Sequence, residues 1–380
     1  MNHKIIFAAL FLFATAFQLQ ANPKKQKVYS IVKTHHSIEW YEEQLALWEK
    51  DVKDNPKNSE AWLNVYTAAR MIKISGGNKT QEDLDAIVEQ VKKNVPDTFE
   101  GNYIQYYNGS HDDKLWKFLL KAYEIDPDRA ETYDDMVTHY EIKGDKTKVK
   151  EFAEKWFASN EISSGLYAYN YNVLMSCEEN AILITTGDND TYPAWILQNA
   201  KGFRTDVSVL NASLLILDEY RNTKFKELGI PDLKLSKEDP TGIEMMQEIC
   251  NHIRKNSKRP FYFACTNATE LYSNVSDKVY SVGLAYKYSE ENFDNIAVLR
   301  KNYENLFLLD HLKIQMSNDI SQEVVNHASS NYLIPFLILY NHYKISEETN
   351  RLKEITWLIE DIAAKNGQTE QVKKIMNEKK

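Results

Sequence analysis

Two hydrophobic periods follow one another along this chain, and the change between them restricts what it can fold into. From Ser37 to about Asn160 apolar residues recur every three or four positions, as in Ile38, Tyr41, Leu45 and Trp48, which is one face of an amphipathic helix. Near Asn180 the pattern shortens. Residues 181–186 form a compact apolar, partly β-branched run ended by Gly187, which predicts a buried strand. A helix follows, opening at Asp190 or Thr191 and ended by Gly202. Residues 206–211 predict a second strand, 242–255 a helix, 259–265 a third strand and 279–288 a fourth. Strands alternating with helices imply a parallel α/β sheet. From Phe293 onward the helical period returns. The fold class is therefore α/β plus all-α: a helical array over 22–165, a small parallel-sheet domain over 166–290, and C-terminal helices over 291–380 that pack back on it.

Three boundaries inside the array resemble one another. Asn55-Pro56-Lys57-Asn58, Val95-Pro96-Asp97-Thr98 and Ile125-Asp126-Pro127-Asp128 each place a proline a few residues before a helix with an acidic first turn and aromatic residues. Ser59 is positioned to cap the first of these helices. Such spacing fits helix-pair repeats, whose units must stack because none buries its apolar face alone. Tyr123-Glu124-Ile125-Asp126-Pro127 and Gly144-Asp145 carry the clearest resemblance to a degenerate tetratricopeptide array. A repeat of unrelated origin would stack in the same way.

His3 and Lys4, the uncharged run from Ile5 to Phe17, and Gln18-Leu19-Gln20-Ala21 have the order of a cleavable export signal over residues 1–21. The apolar run falls short of the roughly 20 residues a spanning helix needs. No cysteine lies at the cut. The most apolar later segment, 334–340, reads as a buried helix. The expectation is an exported chain, periplasmic or secreted, with no membrane insertion after cleavage. Cys177, Cys250 and Cys265 make an odd count, so either Cys250–Cys265 forms one bridge or all three are buried thiols. The net charge of -9, with both signs interleaved, lacks the concentrated basic face that nucleic acid rewards.

Residues 180–217 carry an ordered block: the strand, then Gly187-Asp188-Asn189-Asp190-Thr191, Pro193 and Trp195, Arg204-Thr205-Asp206-Val207, and Asn211, Ser213, Leu214 and Leu215. A later block runs Val282-Gly283-Leu284-Ala285-Tyr286-Lys287. Both resemble segments of the soluble, periplasmic C-terminal part of a bacterial membrane-protein family whose spanning part is similar to protein O-mannosyltransferases. The resemblance implies an exported α/β domain joined to helical repeats. It implies no reaction.

In an open parallel sheet, ligands sit beyond the carboxyl ends of the strands. Asp188, Asn189, Asp190 and Thr191 follow the first strand, Asn211 and Ser213 the second, and Thr266 and Asn267 the third. If those strands are parallel neighbours, the eight residues share one rim. Asp188 and Asp190 would then be candidates for a divalent cation, and the rim could accept sugar hydroxyls. None of the nine histidines stands at a strand end to complete a phosphoesterase metal set. The other reading is structural: Asp188 and Asn189 bond the loop backbone, while Asp190 or Thr191 caps the helix ahead of Pro193. The tyrosines 103, 106, 107, 167, 169 and 171 either line a groove of the array or fill its helix seams. The first functional expectation is a binding or scaffold protein whose repeat surface holds a protein or peptide partner. The alternative is an enzyme acting on a glycan or a phosphorylated substrate at the Asp188–Asp190 loop.

Overall fold

Ser37 stops the chain in an extended conformation and its hydroxyl accepts the Trp40 N–H, which starts the first helix of the computed structural model. The model describes residues 24–109, 112–237, 239–314 and 320–377; the export signal read over 1–21 lies outside them. The helical period resolves into α1 (Ile38–Asp54), α2 (Ser59–Ile74), α3 (Gln81–Asn94), α4 (Phe99–Tyr107), α5 (Trp116–Ile125), α6 (Tyr133–Lys143), α7 (Lys146–Ser159) and α8 (Ser164–Met175). Pro56, Pro96 and Pro127 sit in the turns before α2, α4 and the short 3₁₀ lead into α6. The cap of α2 is Asn58 rather than Ser59: the Asn58 side chain accepts the Ala61 N–H, and Ser59 is the first helical residue. Neighbouring helices stack, α1 on α2, α2 on α3 and α4, α4 on α5, and α6 on α7.

The sheet has the order β2-β1-β3-β5-β4, with β1 at Ile182–Thr185, β2 at Ser208–Asn211 and β3 at Phe261–Ala264. These three are parallel, in register at Leu183 with Val209 and with Tyr262. β1 and β3 are buried throughout, as continuous apolar strands covered on both faces should be. The fourth strand expected over 279–288 is instead an antiparallel hairpin, β4 (Val279–Ser281) and β5 (Ala285–Tyr288), so the sheet is mixed. Gly283 makes the turn at φ 136°, where a Cβ would lie 2.6 Å from the Ser176 hydroxyl. That explains the glycine of the Gly-Leu-Ala-Tyr block.

Helices α9 (Asp188–Lys201), α10 (Ala212–Leu215), α11 (Asp218–Leu228) and α12 (Gly242–Asn256) connect the strands. α7 and α8 pack on α9, and α6 on α11, so the array abuts the sheet domain directly. The chain ends in α13 (Asn295–Lys301), α14 (Asp310–Lys313), α15 (Gln322–Ser329), α16 (Leu333–Ile345), α17 (Thr349–Lys365) and α18 (Thr369–Asn377). α13 touches β4, and α14 and α15 touch α8. Among the described residues no helix is long and apolar enough to cross a membrane. All three cysteines are free, Cys177 and Cys250 in the core and Cys265 with its thiol on the Gly283 carbonyl; the Cys250–Cys265 bridge is not formed.

Candidate functional site

The acidic loop divides into two environments. Its helix opens at Asp188, two residues earlier than the sequence predicts, which makes Asp190 the third helical residue. From there the Asp190 carboxylate reaches back to the Gly187 N–H at 2.7 Å and the Thr186 N–H at 3.1 Å, and accepts the Thr266 hydroxyl. It satisfies donors at the helix start without being the cap residue. Pro193 now falls in the second turn and cannot bond the Asn189 carbonyl. The Asn170 side chain on α8 donates to that carbonyl at 2.8 Å.

The rest of the expected rim closes on itself. Thr191 Oγ1 meets Thr185 Oγ1 at 2.7 Å and accepts from Asn211 Nδ2 at 3.0 Å, while Asn211 Oδ1 caps α10 through the Leu214 N–H. Asn267 Nδ2 donates to the Ile184 and Ala264 carbonyls at 2.7 and 3.0 Å, and its Oδ1 accepts the Thr186 hydroxyl at 2.5 Å. Asp190, Thr191, Asn211 and Asn267 are buried; Ser213 is exposed on α10, and Asn189 is half-buried. The side chains that were to share an open rim therefore lock the three strand ends together. The Asp190 carboxylate is occupied by its own loop, so Asp188 and Asp190 do not present a paired cation site. Among the described residues no group of three or more His, Cys, Asp or Glu is placed to hold a metal.

Asp188 turns the other way, toward the array. Two helix positions apart means about 200° around the axis, so the two carboxylates diverge. The Tyr192 hydroxyl bonds Asp188 and accepts from Thr138 on α6 at 3.3 Å. Asp134 and Asp135 of α6 lie near Asp188, and Arg70 of α2 counters Asp135 and Asp188 while stacking its guanidinium 4.2 Å from the Tyr107 ring centre. Asp188 keeps solvent access, but protein encloses it on other sides. That loss of hydration, with the charge of Asp190, raises its carboxyl to about 6, partly offset by Arg70 and the Tyr192 hydroxyl. Asp134 and Asp135 are raised for the same first reason, with Asp188 adding to both.

Asp134 is also on the wall of a cavity of about 440 Å³ in the array. Leu63 and Thr67 of α2, Tyr103 and Tyr107 of α4, and Trp156 of α7 line it too. Three of its walls come from the helices that follow the three prolines. On α2, positions 63, 67 and 70 share one face, as do 103 and 107 on α4. Of the tyrosines with two readings, Tyr103 and Tyr107 line the groove, whereas Tyr106 and Tyr169 fill seams.

The fourth wall is the segment before α1. Lys24, Gln26 and Val28 turn their backbone groups to the array, the alternation of an extended chain. Gln44 Nε2 donates to the Lys24 carbonyl at 3.1 Å and Gln44 Oε1 accepts the Gln26 N–H at 2.7 Å. Trp48 Nε1 donates to the Gln26 carbonyl at 2.8 Å, and Asn64 Oδ1 accepts the Val28 N–H at 2.7 Å. Asn64 is oriented by its own bond to the Glu60 carbonyl, and Gln44 and Asn64 are each 1% exposed. The segment's lysines pair at the surface: Lys25 with Asp51, Lys27 with Glu131, Lys33 with Glu161. Gln44, Trp48, Asn64 and Asn170 carried no signal in the sequence beyond being polar or amphipathic positions on a helix.

The raised carboxyls set a pH dependence. The folded chain holds a proton on Asp188 that the unfolded chain has already released between about pH 4 and 6, so this group's contribution favours folding less as pH rises through that window. Asp188→Asn should therefore raise the melting temperature at pH 7.5, by roughly 1–3 °C if about 1 kcal/mol of repulsion is relieved, and change it little at about pH 3, below the window. Differential scanning fluorimetry at the two pH values checks this; an equal shift at both would refute the electrostatic account.

Residues 166–231 match a family model described as TMEM260-associated domain 2. That stretch runs from α8 to the end of α11 and contains the Asn170 contact, the acidic loop and the Arg204–Asn211 segment, in the part of the chain where the sequence resemblance lies. No curated protein matches the chain in sequence. Among solved structures, a monomeric mutant of IFIT1 determined with m7Gppp-AAAA is similar at 15% identity and a TM-score of 0.27, covering 86% of this chain and 68% of that one.

Proposed function

We propose that this chain is an exported binding protein of the bacterial periplasm that holds an extended peptide segment of a partner on the groove of its helical array. The observation that supports this is the backbone capture of residues 24–28 by Gln44, Trp48 and Asn64. Side-chain amides bonding alternate N–H and C=O groups read an extended main chain, whatever its side chains, much as an added strand is read at a sheet edge. The chain's own segment thus serves as an internal ligand, and a partner competes with it.

A competition experiment tests the reading. Gln26→Pro with Val28→Pro removes the two N–H groups that Gln44 and Asn64 accept, releasing the segment while leaving the groove intact. A fluorescein-labelled peptide of residues 24–34 should bind this variant at least tenfold more tightly than the native chain, because a short tether presents the internal segment at a millimolar effective concentration. Adding Asn64→Ala should weaken the peptide again. No anisotropy change with the released variant would overturn the proposal.

A further inference from the structure

The 440 Å³ cavity of the array keeps three buried polar groups that the protein itself does not use. Thr67 and Tyr103 are each 6% exposed and Trp156 is 4% exposed, and all three line it. Neither hydroxyl, nor the indole N–H, has a hydrogen-bond partner among the described residues. Unpaired groups of this kind are costly, so a molecule that bonds all three gains from each. The charged side chains of the lining are, by contrast, mostly engaged. Arg129 pairs with Glu100 and Glu131, Lys27 with Glu131, and Lys33 with Glu161. Asp128 is exposed, and loss of hydration pushes the Asp134 carboxyl up to about 7. Tyr103 lies between Phe99 and Tyr107, with ring centres 5.9 and 5.3 Å away and planes within 22°. Its faces are covered, so it offers the cavity its hydroxyl and its positively polarised ring edge.

We infer that this cavity is a binding site for a small neutral sugar. Its volume falls within the range of small-molecule sites. A sugar hydroxyl both donates and accepts; the Thr67 and Tyr103 hydroxyls can answer it either way, and the Trp156 N–H needs its acceptor oxygen. An apolar ligand would leave all three groups unpaired. An ionic ligand would have to break pairs that the lining already makes, and a flat aromatic one finds no open face on Tyr103. Val28, Leu63 and Ile162 provide apolar contact for the C–H groups of a sugar ring. The inference stands apart from the peptide reading, which uses the main-chain bonds of residues 24–28, so either can fail alone.

The test is calorimetric titration of the full native chain with D-glucose, D-galactose and D-mannose, each beside its 2-amino and its uronate counterpart. At least one neutral hexose should bind about tenfold or more tightly than both of its charged counterparts. Tyr103→Phe with Thr67→Val removes the two hydroxyls and should weaken that sugar about tenfold or more. Because neither hydroxyl has an internal partner, the free double variant should melt no lower than the native chain. Absence of heat from every neutral hexose would overturn the site, since water alone would then satisfy the three groups. Binding of a charged counterpart as tight as that of its hexose would overturn the ligand class. Unchanged affinity in the double variant would place the sugar elsewhere, and a lower melting temperature would mean that the hydroxyls serve the fold; each also overturns the inference.

Discussion

Asp190→Ala should destabilise the protein by about 3–5 kcal/mol, the range for breaking a buried charged hydrogen-bond network. Asp190 is 2% exposed, and its carboxylate accepts the Thr186 and Gly187 N–H groups and the Thr266 hydroxyl. Removing it strands two backbone donors at the start of α9 and takes away the Thr266 tie between the β3 and β1 ends, leaving those of Asn267. Asp190→Asn keeps one acceptor oxygen and the shape, so it should lose about half as much. Urea unfolding followed by tryptophan fluorescence measures both. A loss below about 1 kcal/mol for the alanine variant would mean the network is not what holds the loop.

Arg204→Ala should cost about 2–4 kcal/mol, because one guanidinium serves several buried ends at once. Its Nη1 donates to the Leu174 and Cys177 carbonyls at 2.8 and 3.1 Å, and its Nη2 to Glu178 at 2.9 Å, satisfying the C-terminus of α8. Nε and Nη2 grip Asp206 at 2.9 and 3.0 Å. The residue accepts a left-handed φ of 48° to do so. Arg204→Lys keeps the charge but not the fork, and should recover less than half of the loss. The bond to Arg204 holds Asp206 down at about 2, so the pair's contribution is complete above about pH 4 and is lost as pH falls through 2. Chemical denaturation of the two variants at pH 7 and of the native chain down to pH 2 reads these effects. An alanine variant as stable as the native chain would remove Arg204 from the account.

Both residues belong to the block that carries the family resemblance, and both work in the scaffold. Arg204-Thr205-Asp206 ties α8 to the N-terminal end of β2, and Arg259 reinforces it by donating to the Asn180, Ala181 and Asp206 carbonyls. Within Gly187–Thr191, Asp188 is the residue turned toward the carboxyls of α6. The block's regularity in sequence is thus mainly the regularity of a strand–helix–strand joint.

The helices, their proline turns and the three parallel strands were readable because each depends on neighbours in sequence: a 3.6-residue period, a strand bounded by glycine, a left-handed Gly202 that ends α9. The hairpin at Gly283 was read as one strand because a single glycine in an apolar run does not show which way the chain turns; the approach of Ser176 and Phe307 decides that. The fate of the acidic loop hinged on the helix start. With α9 opening at Asp190, Asp188 and Asp190 are loop neighbours; with the start at Asp188 they lie on opposite sides of a helix.

Periodicity and turn chemistry, being local, determined what kinds of element this chain makes and where most of them lie. Tertiary packing alone decided that Leu63, Tyr103, Asp134 and Trp156 enclose one cavity, that Asp188 lies close enough to Asp134 to raise its carboxyl, and that Gln44 and Asn64 grasp the chain at residues 24–28. Those contacts join residues at least 18 positions apart. No repeat or motif encodes them, because they arise from how the stacked helices are set against the sheet.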